Sequence, residues 1–431
     1  MGSCRYALRV NTTQSEIHRQ LEAAGASFVS FGPSGAAEAA APVEIVETFN
    51  EYHAEYAAIR KSVGIFDQPQ RGVVELTGKD RLEFLHRMIT HDTRGLLPGQ
   101  CRRAFLLSKQ GRITADMIVM HEAQRTLIDL DVFQAAEITR ELDKYLFSEE
   151  VKLRDVSASF HQIALHGPNG FKLIEHLIGI AMPPLEVMQH ATVTIDGASG
   201  VVYRRDVTGS MGLHLIVPCE AASGVFARMV DAVGGLVPNI DKASSEFRVP
   251  SSELKGEESV AGNSASSTRN SELGTRNFRL IPGRGIGWVA FNTARIEAGT
   301  PLFHIDFGPD SLPGETGLLD DAVSFTKGCY LGQEIVARMK HLGHPKKIIV
   351  GLKCDDDRLP IAGSQVYEAD APGGTIIGGI TSSTLSPLLG GSAIALASMK
   401  WAKHHVGTIV SVPAEGAHVK ATVCALPFVK V

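Results

Sequence analysis

Eight consecutive residues, KGCYLGQE from Lys327 to Glu334, combine a lysine, a thiol, a phenol, an amide and a carboxylate around two glycines. The glycines indicate a sharp turn, and LGQEIVARMKHL after it predicts a helix. Cys329 would lie just before or at the start of that helix. A helix start and a nearby ammonium both favour thiolate over thiol, so the pattern indicates a reactive sulfur. A free cysteine is more often a small buried hydrophobe, and the residues alone favour this inert interpretation.

A second stretch with binding chemistry is RIEAGTP, Arg295 to Pro301. A guanidinium is the best bidentate partner for a carboxylate-bearing ligand, although an Arg–Glu pair is more often a structural salt bridge. The histidines in HLGHPKK and at His404 and His405 have no cysteine or carboxylate partners at metal-binding spacing. We therefore predict no metal site.

The composition limits the possible classes of protein. At 431 residues the chain is expected to form two or three domains. Its formal charge of −5 argues against a general nucleic-acid binder, and no apolar run approaches the ~20 residues that span a bilayer. The N-terminus lacks the apolar core of a signal peptide, and the six cysteines form no CxxC pair. These features predict a cytoplasmic protein with no membrane partner.

Strands and helices alternate through most of the chain. The pattern predicts an N-terminal helix and linker over 1–42, an α+β body over 43–345 and a C-terminal all-β barrel over 346–431. Within the body, RAFLLSKQGRITADMIVMHE predicts two strands joined at Lys109–Gly111. Residues 241–277 are rich in serine, glutamate, asparagine and glycine, which predicts a disordered insertion.

These segments together resemble a known family. KGCYLGQE resembles the signature of the YgfZ-type folate-binding proteins, which are relatives of the glycine-cleavage T-protein (aminomethyltransferase) and assist iron–sulfur cluster assembly or maintenance. RKSVGIFDQPQRGVVELTGKDRLEFLHRMITHD, LHGPNG, TGSMG and RIEAGTP follow in the family's order. The resemblance covers roughly 43–431 without the insertion. It implies a T-protein-like fold, with two interleaved α+β subdomains around a central cavity that binds tetrahydrofolate, and a C-terminal β-barrel.

The resemblance also implies roles for individual residues. The arginine of the R-x-E-A-G motif lies at the folate site in the family, so Arg295 inherits that role. Lys327 and Cys329 inherit the roles of the signature's reactive residues. The remaining signature residues and one acid on a preceding strand are implied to shape or line the folate site: Tyr330, Gln333, Glu334 and Asp116.

Two departures from the T-protein pattern bear on the chemistry. T-proteins carry paired acids in G-x-I-x-D-D, whereas this chain has GRITAD, with Ala115 in place of the first acid and only Asp116 remaining. They also carry T-G-E-D-G, whose glutamate contacts the pterin, whereas this chain has TGSMG with Ser210 at that position. Both changes remove a carboxylate. A pterin N–H group that is buried without such an acceptor costs ~1–3 kcal/mol. Aminomethyl transfer is therefore disfavoured by the sequence.

Three functions remain open from the sequence. The favoured function is a tetrahydrofolate-binding accessory protein of iron–sulfur cluster assembly or maintenance, which is not a self-sufficient enzyme. In this function Cys329 contacts a cluster or an iron–sulfur partner protein. The contact would be transient, because a stable cluster usually needs four ligands. The alternative is a folate-dependent aminomethyltransferase or related one-carbon transferase in which Asp116 replaces the lost acid, although adjacent strand residues face opposite sides. The third is a ligand-sensing scaffold that does not need the thiol.

Overall fold

The computed structural model describes residues 7–9, 12–32, 41–237, 280–369 and 373–431. The predicted insertion at 241–277 and most of the predicted linker before residue 42 lie outside the described residues. Four described cysteines are free thiols, at Cys101, Cys329, Cys354 and Cys424.

The N-terminal part of the described chain forms a small sheet and a short helix. The sheet has the strand order β1-β2-β4-β3, with β1 Ala7–Arg9, β2 Thr12–Gln14, β3 Ser27–Phe31 and β4 Val43–Thr48. The predicted N-terminal helix forms as α1, His18–Ala23, and it packs Ile17 and Leu21 into the apolar core of the body.

Two larger sheets form the body. One has the order β10-β6-β9-β8-β7 and the other β12-β13-β14-β11-β5-β15. The strands of the first are β6 Arg71–Thr77, β7 Cys101–Leu107, β8 Ile113–His121, β9 Arg125–Asp131 and β10 Lys152–Asp155. Those of the second are β5 Gly64–Asp67, β11 Phe160–His166, β12 His190–Ile195, β13 Ala198–Arg204, β14 Gly212–Pro218 and β15 Arg284–Gly285. Apart from the short parallel pair β15–β5, their pairings are antiparallel, as predicted.

Helices cover the outer faces of the two sheets. The body contains α2 Tyr52–Lys61, α3 Arg81–Met88, α4 Val132–Asp143, α5 Gly170–Ile178, α6 Cys219–Val233, α7 Trp288–Glu297, α8 Leu319–Ala322 and α9 Gln333–Leu342. Apolar side chains of α3 and α4 pack on the first sheet, and those of α5 and α6 on the second. The inner faces meet through a third apolar cluster that joins Val73 and Ile118 to Val201 and Tyr203. The two sheets therefore face each other, and polar side chains on these inner faces have only limited access to water.

The C-terminal strands close into a six-stranded barrel, as predicted. Its order is β16-β19-β18-β17-β20-β21, with β16 Lys347–Cys354, β17 Gln365–Glu368, β18 Ile376–Ser386, β19 Ser392–Lys400, β20 Ile409–Ala414 and β21 Ala417–Cys424. The α+β class is thus confirmed. A search of the described helices finds none with the length and apolar character that crossing a bilayer requires.

Candidate functional site

A small inner cavity lies where the two sheets of the body face each other. Its volume is about 80 Å³. Its polar lining comes from the ends or inner faces of strands in both sheets, namely Gln68, Gln70, Arg71, Asp116, Asp131, Tyr203, Arg205 and His214. Apolar side chains that include Phe31, Trp288, Phe291 and Phe303 close its other side. Charges in such a place interact strongly because little water screens them.

A larger outer cavity of about 720 Å³ adjoins the inner one. The two share Arg205 and Val207 in their linings. Loop residues 298–301 and 316–318 and the chain after the last barrel strand form much of the outer wall, and Arg102 and Arg103 line it as well. Ligand cavities in proteins typically measure about 300–1,000 Å³, so the outer cavity can hold a drug-sized molecule whose end reaches toward the inner one.

An ion pair between Arg103 and Asp116 connects the two cavities. Arg103 lines the outer cavity and Asp116 the inner one, and the pair is bidentate, with Nε–Oδ1 2.9 Å and Nη2–Oδ2 2.6 Å. Burial would raise the pKa of the Asp116 carboxyl, but Arg103, with Arg205 and Arg71 behind it, outweighs burial and lowers that pKa below its ordinary value. Asp116 is therefore a fixed negative charge in the inner cavity near neutral pH.

The floor of the inner cavity is a hydrogen-bonded network around Asp129. The Asp129 carboxylate accepts hydrogen bonds from Arg71, Gln162 and the Tyr203 hydroxyl. Tyr203 stacks on His214 with ring centroids 4.8 Å apart. Burial is the main cause that raises the pKa of Tyr203 and lowers that of His214, so both rings are neutral. Because these rings and charges already have partners, the floor can keep its shape without a ligand.

Two buried polar atoms on the inner-cavity lining have no hydrogen-bond partner within the described chain, Gln70 Oε1 and His214 Nε2. An unpaired buried polar atom costs free energy, and native structures usually satisfy such atoms. A water molecule or a polar ligand bound in the inner cavity would satisfy them.

The structure does not place Arg295 in either cavity lining. Arg295 is fully buried on α7, where it bonds Asp306 at 2.5 Å, Ser382 of the barrel at 2.5 Å and Asn292 at 2.8 Å. Burial lowers the pKa of the Arg295 guanidinium, and Asp306 opposes that shift. With its donors occupied, Arg295 joins the body to the barrel, and the expectation that it contacts folate is not supported by these contacts.

Cys329 lies on the surface, so the interpretation of a buried thiol is wrong. It lines a surface hollow of about 770 Å³ together with Tyr330, Gln333, Glu334 and the basic side chains of Arg87, Arg94 and Lys109. This hollow shares no lining residue with the inner or the outer cavity. Cys329 thus lies apart from both cavities, and Arg295 lines neither of them nor this hollow.

Lys327 holds the KGCYLGQE segment against the end of α3. Its ammonium donates to the backbone carbonyls of His86, Ile89 and His91 and lies 4.7 Å from the Tyr330 ring centroid. Burial lowers the pKa of Lys327 to about 8. The three carbonyl contacts indicate that Lys327 positions the segment.

The second glycine of the segment packs against the turn between β7 and β8. Gly332 has φ +77°, and a Cβ there would lie 2.5 Å from the Ser108 carbonyl oxygen. Gly111, on the turn itself, has φ +72°, and a Cβ there would lie 2.8 Å from Ile335. Both positions need glycine because of backbone conformation and close approach.

Comparison with known proteins identifies the family. Residues 17–240 match the family model described as the GCVT N-terminal domain, and residues 347–430 match the glycine cleavage T-protein C-terminal barrel domain. The chain belongs to the glycine cleavage T-protein family. The KGCYLGQE segment lies between the two matched ranges.

Named relatives and a solved structure agree with this assignment to the T-protein family. The aminomethyltransferase from Nostoc sp. is 25% identical to the chain and covers 89% of it and 89% of its own length. The aminomethyltransferase from Bacillus subtilis is 24% identical and covers 90% of the chain and 93% of its own length. The crystal structure of glycine cleavage system aminomethyltransferase T from Bartonella henselae has a TM-score of 0.76 at 22% identity, covering 97% of this chain and 98% of that one. The T-protein fold is thereby confirmed.

The positions of Ala115 and Ser210 in the structure bear on the expectation about the missing carboxylates. Along β8, Ala115 packs into the apolar cluster under α3 and α4 with Met117 and Val119, whereas Asp116 faces the inner cavity. Ser210, at the other departure, accepts a hydrogen bond from Arg60 at 3.0 Å and is not part of the inner-cavity lining. An acid at position 115 would therefore face the apolar cluster, and the carboxylate that faces the inner cavity, Asp116, is present.

The sequence interpretation missed several cavity residues, namely Gln70, Arg103, Arg205 and His214. For Arg103 a signal was available. It lies in an otherwise apolar strand of the predicted hairpin, and Asp116 lies in the other strand, so the two charges could have been paired. For His214 and Arg205 the local pattern offers no comparable signal, because their role depends on how the second sheet faces the first.

Proposed function

We propose that the protein is a folate-dependent one-carbon transferase of the aminomethyltransferase type, which was the alternative interpretation of the sequence. The observation that carries this proposal is the position of Asp116, whose ionised carboxylate faces the inner cavity while Ala115 faces the apolar core. The names of the relatives in the T-protein family, aminomethyltransferases that span nearly the whole chain, favour the same reaction class.

The outer cavity fits tetrahydrofolate in volume and chemistry. It offers apolar wall residues such as Met188, Leu318 and Leu426, with arginines for an anionic glutamate tail. The inner cavity, at about 80 Å³, has room for roughly five to eight water-sized atoms and is too small for a pteridine. Tetrahydrofolate, when bound in the outer cavity, supplies the nitrogen that accepts the carbon unit.

The residues of the chain supply electrostatics and exclusion of water. Asp116 places a negative charge where a cationic amine can bind, and Arg103 fixes the orientation of that carboxylate. Such a charge, held in place before the reaction, stabilises developing positive charge without reorganisation. The apolar side chains of Phe31, Trp288 and Phe303 limit the access of water to the inner cavity.

The test is to mix the protein with tetrahydrofolate and an aminomethyl-donating substrate, whose carbon is already at the oxidation level of the methylene product and which releases ammonia on transfer. We expect methylene-tetrahydrofolate to form, measured by chromatography, and tetrahydrofolate to bind in calorimetric titration. Protein that has been heat-denatured is the control for uncatalysed condensation. Folate binding without any product would remove the transferase proposal and leave a binding role.

A second candidate, the YgfZ-type accessory role in iron–sulfur cluster assembly, is favoured by the exposure of Cys329 beside basic side chains. Among the described residues no three His, Cys, Asp or Glu side chains form a metal site, so a cluster contact would need ligands from a partner.

Cys329→Ala separates this candidate from the transferase. The variant is expected to fold normally and, under the accessory role, to fail to restore iron–sulfur enzyme activities in a strain that lacks the protein. Cys424→Ala is the matched control, because Cys424 is a free thiol on the barrel. Full restoration by Cys329→Ala would contradict the accessory role and leave the transferase proposal intact.

A further inference from the structure

Arg205 occupies an unusual place between the inner and outer cavities. It directly follows β13, and its backbone N–H donates to the Gly212 carbonyl at 2.8 Å. The backbone approach is close, because a Cβ on Gly212 would lie 2.3 Å from the Arg205 carbonyl oxygen. The start of the Arg205 side chain is therefore fixed by the β13–β14 pair, and the side chain lines both cavities.

The Arg205 guanidinium forms no hydrogen bond or ion pair with any residue that the structure describes. Three neighbouring arginines have a carboxylate partner, Arg71 with Asp129, Arg103 with Asp116 and Arg204 with Asp206, whereas Arg102 on the outer cavity donates to the Cys101 carbonyl. Burial lowers the pKa of Arg205 to about 10, and Arg103 acts in the same direction. A half-buried guanidinium without a carboxylate is typical of a site completed by an anionic ligand.

The remaining acids near the cavities do not supply that partner. Asp131, on the inner cavity, caps α4 by accepting from the Phe133 backbone N–H at 2.9 Å, and burial raises its pKa. Asp320 and Asp321 line the outer cavity but form no ion pair with Arg205. Among the described residues Arg205 therefore has no carboxylate at ion-pair distance, and the acid that acts on its charge is Asp116, which is already paired with Arg103.

The inner cavity thus has the guanidinium of Arg205 at the end that adjoins the outer cavity and hydrogen-bond acceptors elsewhere in its lining. Asp116 is a fixed carboxylate, and Gln70 Oε1 is a buried acceptor without a partner in the described chain. At about 80 Å³ the cavity has room for roughly five to eight water-sized atoms. A free small α-amino acid such as glycine or N-methylglycine has this size and carries a carboxylate and an ammonium on adjacent atoms.

We propose that the inner cavity binds a small zwitterionic amino acid, with its carboxylate on Arg205 and its ammonium toward Asp116 and Gln70. This inference rests on the proposed function for the role of the cavity and names a ligand class only. Neither amino acid is assigned as the carbon donor, because passing its carbon to methylene-tetrahydrofolate would require a two-electron oxidant. No reaction step is implied by the binding itself.

The test is isothermal titration of the full chain with glycine and with N-methylglycine, in the absence of folate. We expect both to bind the unaltered protein, and methylamine, which lacks the carboxylate, to bind about 10- to 100-fold more weakly. Arg205→Met should lower the affinity of the protein for the two amino acids by a similar factor. Arg228→Met, which removes a surface pair with Asp196, should change neither affinity by more than about twofold.

The outcomes separate this proposal from the proposed function. The zwitterion site would be overturned if neither amino acid bound the unaltered protein, or if methylamine bound it as tightly as the amino acids do. Both results are independent of whether Arg205→Met folds. Arg205→Met could also bind the amino acids normally but lose affinity for tetrahydrofolate, while keeping its affinity for a pteroyl analogue without glutamate. That result would assign Arg205 to the glutamate tail of folate and would overturn the zwitterion site. Failure of the proposed function would instead appear as the absence of folate-dependent product.

Discussion

Asp116→Asn is expected to lower the rate of one-carbon transfer by about 10²- to 10³-fold, because asparagine keeps the size of the side chain but removes the fixed negative charge of the inner cavity. The affinity for tetrahydrofolate is expected to change little, since the proposed folate position is the outer cavity. The measurement is steady-state production of methylene-tetrahydrofolate alongside calorimetric titration of the cofactor. A loss confined to turnover would show that the carboxylate acts on the reacting amine.

Stability needs its own control in this experiment. The Arg103 and Asp116 side chains are only 7% and 10% exposed, so asparagine leaves a largely buried guanidinium without a carboxylate. Breaking such a pair costs about 3–5 kcal/mol, whereas replacing both partners is often neutral. The double variant Asp116→Asn/Arg103→Met should therefore regain much of the free energy of unfolding without regaining activity. Transfer at the unaltered rate in either variant would remove Asp116 from the mechanism.

Arg295→Met is expected to lower the free energy of unfolding by about 3–5 kcal/mol, because it leaves the buried Asp306 carboxylate without its guanidinium and removes the bond from α7 to Ser382 of the barrel. The sequence instead predicted that this arginine contacts folate. Urea denaturation measures the stability change, and titration with tetrahydrofolate at a temperature where the variant is folded measures the affinity, which we expect to remain within about threefold of the original.

Two further variants give this prediction its controls. Arg295→Met/Asp306→Asn removes the unpaired charge and should recover part of the lost stability. Arg154→Met removes an ion pair whose arginine is 69% exposed, and it should cost less than about 1 kcal/mol. An Arg295→Met variant of unchanged stability that no longer binds folate would restore the original assignment of this residue.

The periodicity of the chain was enough to predict most of the architecture. The β7–β8 hairpin forms with its turn at residues 108–112, close to the predicted Lys109–Gly111, and the glycine-punctuated strands close into the barrel. These features depend on local patterns that the sequence displays directly. Alternation along β8 also shows Asp116 on the face opposite to Ala115, Met117 and Val119, so its exposure to the cavity could have been predicted from the same pattern.

The site was harder to predict because its partners are distant in the chain. Arg295 bonds Asp306 and Ser382, and nothing in RIEAGTP indicates that these two residues would occupy its donors. Arg205 has a role only because the second sheet of the body faces the first. Cys329 was expected to be buried as most free cysteines are, yet the turn that Lys327 fixes leaves it on the surface.

The contact between Gly332 and the β7–β8 turn has a consequence for how related chains are compared. Steric demand alone requires glycine there, whatever the neighbouring thiol does. Chains that share Gly332 are thus expected to share this backbone contact, and the presence of Gly332 alone says nothing about whether the thiol is used.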